Sequence, residues 1–285
     1  MIVPGSQSQV LSARLARETR RELCRVSYQD FPDGEQIIEL ESNVEDRRVT
    51  VVASTPTDKS LIELQQILDA VGPANTVSLV IPYMGYSRQD KKFEEGQPVS
   101  ARAVARGLSA THAPLDQLYT INIHERDVLD WFSIDQKTDI DASTVLSEGL
   151  DTDDVVLAPD AGARSLARNV AEDADCSWDY LEKTRISGDE VEVEAKELSV
   201  EGRDVAIVDD MIATGSTMSE TVEVLRKQSP SSVSLRCIHP VLAGNAVTKL
   251  YSAGVNEVVA TDTLETALST VSAASAIAHE IDQSG

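Results

Sequence analysis

Short, β-branched apolar runs alternate with stretches of helical period along this chain, and no other feature restricts its fold so strongly. Candidate strands are Val49–Ser54, Val77–Pro82, Gln117–His124, Val155–Pro159, Val205–Asp209, Val233–Ile238 and Glu257–Ala260. Helix-period stretches lie between them at Ser60–Ala70, Ser100–Ala110, Ala163–Ala171, Ser216–Lys227 and Ala243–Ala253. This is the pattern of a mainly parallel sheet flanked by helices, an α/β fold. Two segments interrupt it. Phe31-Pro32-Asp33-Gly34-Glu35, between β-prone Arg25–Gln29 and Gln36–Leu40, predicts the turn of a hairpin, and Lys183–Lys196 predicts an exposed, acidic hairpin around Ser187-Gly188-Asp189.

The two halves of the chain repeat one another. At an offset of 156, Val51-Val52 falls on Ile207-Val208 and Val77-Ser78-Leu79 falls on Val233-Ser234-Leu235, so two strands and the helix between them recur. A duplicated domain is expected, with the boundary near the polar stretch Asp135–Leu150. One domain then spans residues 1–142 and the other 143–285.

Composition narrows what such a fold serves. The 285 residues hold 48 Asp and Glu against 25 Lys and Arg, a formal charge of −23, which argues against nucleic acid as a partner. The acids are dispersed and repel one another in dilute buffer. Molar salt, with a Debye length of roughly 3 Å, screens that repulsion, so a salt-adapted, halophilic surface is expected, the alternative being an ordinary acidic enzyme. No apolar run reaches the roughly 18 residues of a membrane span, and Met1-Ile2-Val3-Pro4-Gly5 lacks the start of a secretory signal. A soluble cytoplasmic protein without a membrane partner is the expectation. Cys24, Cys176 and Cys237 form no CxxC pair or zinc-spaced cluster and read as buried hydrophobes.

The chemistry concentrates in Val205–Met218. An apolar strand ends in Asp209 and Asp210, and Ala213-Thr214-Gly215-Ser216-Thr217 then feeds a helix. Backbone N–H groups and hydroxyls over Thr214–Thr217 suit a phosphate at the positive helix end, and the two carboxylates suit sugar hydroxyls. Together they read as a sugar-phosphate site. A four-residue fragment of this kind reads better as a plain N-cap; the 14-residue stretch does not. A second stretch, Pro82 to Lys92, follows a strand, and five of the 25 basic residues lie between Arg88 and Arg106. Cations beside aromatic rings suit a polyphosphate and a base, the alternative being a basic loop paired to surface carboxylates. Neither a G-x-x-x-x-G-K-[ST] loop nor a G-x-G-x-x-G turn is present.

Val205–Met218 resembles the signature of type I phosphoribosyltransferase folds. Six segments, Phe31–Glu35, Arg88–Lys91, Ile121–His124, Ala158–Asp160, Lys183–Arg185 and Asp209–Thr217, occur in the order and approximate spacing of the ribose-phosphate pyrophosphokinases. The resemblance covers the whole chain and is greatest to the archaeal branch. It implies two phosphoribosyltransferase-like domains, the first on the ATP side and the second on the ribose 5-phosphate side, with a mobile catalytic loop at about residues 183–196. By matching position, Phe31, Asp33, Gly34 and Glu35 would recognise adenine from a neighbouring subunit, in a homo-oligomer with a shared active site. Arg88, Gln89 and Asp90 would contact ATP, and His124 and Asp160 would each serve Mg²⁺. Lys183 and Arg185 would be the catalytic pair. Arg185, Asp209, Asp210, Ala213, Thr214, Gly215, Ser216 and Thr217 would hold ribose 5-phosphate.

The reaction implied is transfer of the β,γ-diphosphoryl group of ATP to the anomeric hydroxyl of ribose 5-phosphate. Three rivals share parts of the pattern. A phosphoribosyltransferase has no need of Phe31–Glu35 and Arg88–Asp90, a silent regulatory subunit has no need of Lys183, Arg185, His124 and Asp160, and an RNA-binding regulator conflicts with the charge. Glu125–Phe132 departs from the family, being more charged than the small, polar stretch common in bacterial relatives.

Overall fold

The structure, a computed structural model, describes residues 1–187, 190–195 and 199–283; the side chains of residues 182–198 lie outside that description. The chain forms two compact units. The first comprises residues 1–141, 263–265 and 272–285, and the second residues 142–262 and 266–271.

In the first unit the elements run β1 (Ile2–Pro4), α1 (Gln9–Glu18), β2 (Val26–Asp30), β3 (Gln36–Leu40), β4 (Arg48–Val52), α2 (Asp58–Ala70), β5 (Thr76–Ile81), α3 (Ser100–Ser109), β6 (Leu115–Ile121) and β7 (Gln136–Ile140). Strands β1-β4-β5-β6-β7 form one sheet, every neighbouring pair parallel. Hairpin β2–β3 stands apart as an antiparallel pair, as its turn chemistry predicts. Val51, Leu79 and Leu118 from the sheet and Leu64 and Ile67 from α2 are fully buried in one core, because period 2 on strands and period 3.6 on the helix bring them to a common face.

The second unit holds β8 (Val155–Ala158), α4 (Arg164–Ala174), β9 (Ser177–Ser187), β10 (Glu190–Ala195), β11 (Asp204–Met211), α5 (Ser216–Leu225), β12 (Ser232–His239), α6 (Ala246–Ser252), β13 (Glu257–Thr261) and β14 (Ser269–Val271). Its sheet runs β10-β9-β8-β11-β12-β13-β14, parallel except for the antiparallel β9–β10 ladder. The acidic hairpin expected from the sequence is that ladder, with residues 188, 189 and 196–198 outside the described residues. Its core gathers Val155, Ile207, Val222, Leu235 and Leu250. Cys24 and Cys237 are buried as expected, whereas Cys176 is half-buried; all three are free thiols. Among the described residues no helix is long and apolar enough to cross a membrane.

The repeat in the sequence is β4-α2-β5 and β11-α5-β12, with both strand pairs parallel and adjacent. The last helix, α7 (Ala274–Gln283), returns to the first unit. There Glu265 accepts the Val10 and Leu11 N–H groups at 2.6 and 3.0 Å, at the start of α1, whose own N-cap Ser8 makes no side-chain cap bond. A carboxylate 254 residues away thus caps the helix and complements its dipole. Glu265→Ala should lower the unfolding free energy of the protein by about 1 kcal/mol, read by urea titration in molar KCl; an unchanged midpoint would mean that water caps α1 equally well.

Candidate active site

Open parallel sheets present their strand carboxyl ends, and the turns that follow them, to ligands. In the second unit two adjacent strands end in acids. Asp160 follows β8, and Asp209 and Asp210 close β11, which pairs with β8 through Ile207 and Leu157. The Asp210 N–H donates to Asp209 Oδ1 at 2.9 Å, and the Gly162 N–H to Asp160 Oδ1 at 2.8 Å. Burial raises the Asp209 pKa to about 8, and the charges of Asp210 and Asp160 push it the same way. An uncompensated acid of this kind is ready to release its proton when a cation or a hydroxyl donor arrives.

The turn beyond β11 is pinned by backbone bonds to the chain after β12. Ile212 N–H donates to His239 O at 3.1 Å, Leu242 N–H to Ile212 O at 2.9 Å, and Ala243 N–H to Ala213 O at 2.9 Å. Gly215 then takes φ +71° as the N-cap of α5, a conformation that favours glycine. A β-carbon there would meet the Leu250 side chain at 3.2 Å and Ala246 O at 3.4 Å. No side chain caps α5, and its first turn contains no acid. Thr214 Oγ1 and Ser216 Oγ lie 3.4 Å apart, and Lys249 Nζ donates to Ser216 Oγ at 2.8 Å.

The matching turn in the first unit has the opposite solution. Thr57 caps α2 in a reciprocal capping box with Ser60, and the counterparts of the two acids are Ala53 and Ser54, both buried. The Ser54 hydroxyl donates to Thr263 O at 2.6 Å and accepts the Tyr83 N–H at 3.2 Å. One copy of the repeat therefore has a side-chain cap at its helix start, and the other, among the described residues, has none.

The basic loop after β5 is shaped by contact with that closed turn. Gly85 N–H donates to Thr55 Oγ1 at 3.1 Å, and a β-carbon at Gly85 would run into the Thr55 carbonyl oxygen. Tyr86, at φ +65°, donates its hydroxyl to Asp58 at the start of α2. Arg88 is exposed and Asp90 half-buried. Gln89 is engaged inside the loop: its amide donates to Pro98 O at 3.3 Å and accepts the Ser100 hydroxyl at 2.8 Å.

The hairpin carrying Phe31, Asp33, Gly34 and Glu35 closes with Phe31 N–H donating to Glu35 O at 2.7 Å, Gly34 at φ +93° and Phe31 48% exposed. Lys59 on α2 clasps both Asp30 carboxylate oxygens at 2.5 and 2.7 Å, fixing the hairpin base. His124 is exposed, in a turn after β6 whose Asn122 has φ +38°. Asp139 on β7 holds that turn, accepting the Ile123 N–H at 3.0 Å and the Thr120 hydroxyl at 2.8 Å, while burial raises its pKa against those two bonds. Among the described residues no group of three or more His, Cys, Asp or Glu could hold a metal. Lys183 and Arg185 lie on β9, opposite Val193 and Val191, with their side chains outside the described residues.

Sequence reasoning missed Asp139 and Lys249. Asp139 sits in a polar run that carried no strand signal, and Lys249 on a helix whose neighbour only the fold supplies.

The comparisons with known proteins agree with this picture. Residues 1–111 match the family model described as the N-terminal domain of ribose phosphate pyrophosphokinase, and residues 135–268 match that of the phosphoribosyl transferase domain. A ribose-phosphate pyrophosphokinase of Methanosarcina acetivorans is 44% identical over 98% of both chains. One of Halobacterium salinarum is 45% identical over 99% of this chain and 100% of its own. The crystal structure of phosphoribosylpyrophosphate synthetase from Mycobacterium smegmatis, 26% identical, superimposes with a TM-score of 0.81 over 100% of this chain and 99% of that one. The expected fold, two similar type I phosphoribosyltransferase-like units with mainly parallel sheets flanked by helices, is the one observed.

Because Asp209 binds a proton in the folded state that the unfolded chain releases at its ordinary pKa of 3.8, it contributes stability below about pH 4. That contribution falls away as pH rises towards 8. Denaturant titrations in fixed salt should therefore show Asp209→Asn gaining stability over the wild type between pH 5 and pH 8.5. Parallel pH profiles for the two proteins would refute the assignment.

Proposed function

The chain belongs to the ribose-phosphate pyrophosphokinase family, and from that premise we propose how its two units divide the work. The enzyme transfers the diphosphoryl group of ATP to the C1 hydroxyl of ribose 5-phosphate, giving 5-phospho-α-D-ribose 1-diphosphate and AMP. The observation that carries our reading of the site is the unequal repeat, with α2 capped by its own chain and α5 left uncapped beside three carboxylates.

In this reading the Thr214–Thr217 turn takes the 5-phosphate on the α5 N–H groups and on the hydroxyls of Thr214, Ser216 and Thr217. Asp209 and Asp210 accept from the ribose hydroxyls, which holds the sugar by both ends and fixes where its C1 hydroxyl lies. The exposed Phe31 face and the hairpin acids Asp33 and Glu35, with Gly34 shaping the turn, recognise adenine, the hairpin being lent by another copy of the chain. Arg88 supports the phosphates, and Gln89 and Asp90 support ATP binding by keeping the basic loop in shape. Lys183 and Arg185 neutralise charge as it moves onto the leaving AMP oxygen. No protein nucleophile is required, because alignment and charge neutralisation suffice for this transfer.

The cofactor we propose is Mg²⁺. Asp160 suits it, since one carboxylate oxygen takes the Gly162 N–H and the other has no hydrogen-bond partner among the described residues. Magnesium asks for one or two carboxylates and completes its shell with water and substrate phosphates, so a cage of three protein ligands is not needed. When bound it supplies neutralisation of phosphate charge. The part of His124 rests on the family alone, imidazole being a soft partner for this ion.

The decisive assay mixes the protein with ATP, ribose 5-phosphate and Mg²⁺ in molar KCl and scores AMP against ADP. AMP that forms only when the sugar phosphate is present is the expected result, and ADP formed without it would overturn the reaction. Lys183→Ala should lower turnover by roughly 100-fold or more while changing ATP affinity far less; equal losses in both would remove it from the catalytic pair.

A further inference from the structure

Lys249 stands on α6 with its ammonium 2.8 Å from the hydroxyl of Ser216, the first residue of α5. That hydroxyl is its hydrogen-bond partner, and among the described residues no carboxylate comes within ion-pairing distance of it. Lys59, by comparison, is clasped by Asp30, and Arg47 by Glu22 at 2.7 Å, whereas Lys249, like Lys137, Arg203 and Arg236, is held by neutral oxygen. A half-buried ammonium left without a counter-charge, beside a helix start that lacks both a cap and an acid, adds positive potential where the backbone already supplies it.

The placement is held from behind. Leu250, the next residue of α6, packs on Gly215 so closely that a β-carbon there would lie 3.2 Å from it, and Ala246 O borders the same spot. Lys249 is thereby carried on a helix fixed to the turn it serves. Because Ser216 Oγ accepts from the ammonium, its own proton is left for Thr214 Oγ1, 3.4 Å away, or for an anion in front of the turn.

We propose that Lys249 is a binding residue for the 5-phosphate of ribose 5-phosphate, supplying the full positive charge that the turn itself lacks and aiming the Ser216 hydroxyl. The proposal rests on the reading of Thr214–Thr217 given above. It differs from a structural strut between α5 and α6 in needing the charge, whereas a strut needs only a donor.

The test compares steady-state KM for ribose 5-phosphate, at saturating ATP, in the full-length wild type and in Lys249→Gln, Lys249→Met and Lys249→Arg. The two neutral variants should raise KM roughly tenfold or more, with the effect falling on KM rather than kcat, and Lys249→Arg should restore most of it. A second measurement needs no variant to fold. Saturating ribose 5-phosphate should slow acylation of Lys249 in the wild type by an amine-directed reagent, followed by peptide mass spectrometry, and unphosphorylated ribose should not. A KM for Lys249→Gln within about twofold of the wild type, or unchanged acylation, would overturn the proposal. Absence of ribose 5-phosphate-dependent AMP formation in the wild type would instead overturn the reading of the turn, and the proposal with it.

Discussion

An α-helix begins with N–H groups that its own ladder cannot satisfy, and the way each helix start is answered organises this protein. Helix α1 is answered by Glu265 from the far end of the sequence, and α2 by the capping box of Thr57 and Ser60. Helix α5 has no side-chain cap among the described residues, yet its approach is fixed on both sides, by backbone bonds to residues 239–243 and by α6 pressed on Gly215. A rigid turn of this kind suits the anion-binding role proposed for it, since no reorganisation would be needed when a phosphate arrives.

Charge is arranged against the overall trend. A net charge of −23 repels polyanionic substrates at long range, so local positive potential has to be built where phosphates bind. High salt screens the general repulsion but spares contacts made at hydrogen-bond distance in partly buried positions. In the reading proposed above, the start of α5, exposed Arg88 and Lys249 would supply such contacts without altering the acidic surface. The three carboxylates beyond β8 and β11 are the opposite case. Asp209 resists ionisation in isolation, and a bound cation or a set of hydroxyl donors relieves that resistance, which couples filling of the site to its chemistry.

Much of this was legible in the sequence, for physical reasons that also mark the limits. Seven apolar runs became β4, β5, β6, β8, β11, β12 and β13, because interior strands of a parallel sheet must be apolar on both faces. Strand β7, Gln-Lys-Thr-Asp-Ile, escaped because an edge strand has one neighbour and need not be apolar. Its side chains bond sideways instead, Gln136 with Gln117 at 2.9 Å and Asp139 with Thr120 at 2.8 Å. The return of α7 to the first unit leaves no local signature, since it depends on contacts across most of the chain. The strand end at Asp209 and Asp210 and the helix start at Thr214–Thr217 were legible because they fall in one short stretch. Lys249 was not, because it meets Ser216 from 33 residues away.

The repeat explains why one scaffold can hold two unlike functions. In the second unit the turn after the strand is small, hydroxylic and, among the described residues, without a side-chain cap, which suits the binding role proposed for it. In the first unit that turn is buried and closed, which makes it a foundation for others. Thr55 accepts from Gly85, Asp58 accepts from Tyr86, and Lys59 donates to Asp30, so the basic loop and the hairpin are both anchored on the start of α2. Closing the turn leaves the first unit with a capped helix start and gives it two fixed arms. Opening either turn to match the other would remove function from both units: an uncapped α2 would loosen the arms, and a capped α5 would fill the place of the phosphate.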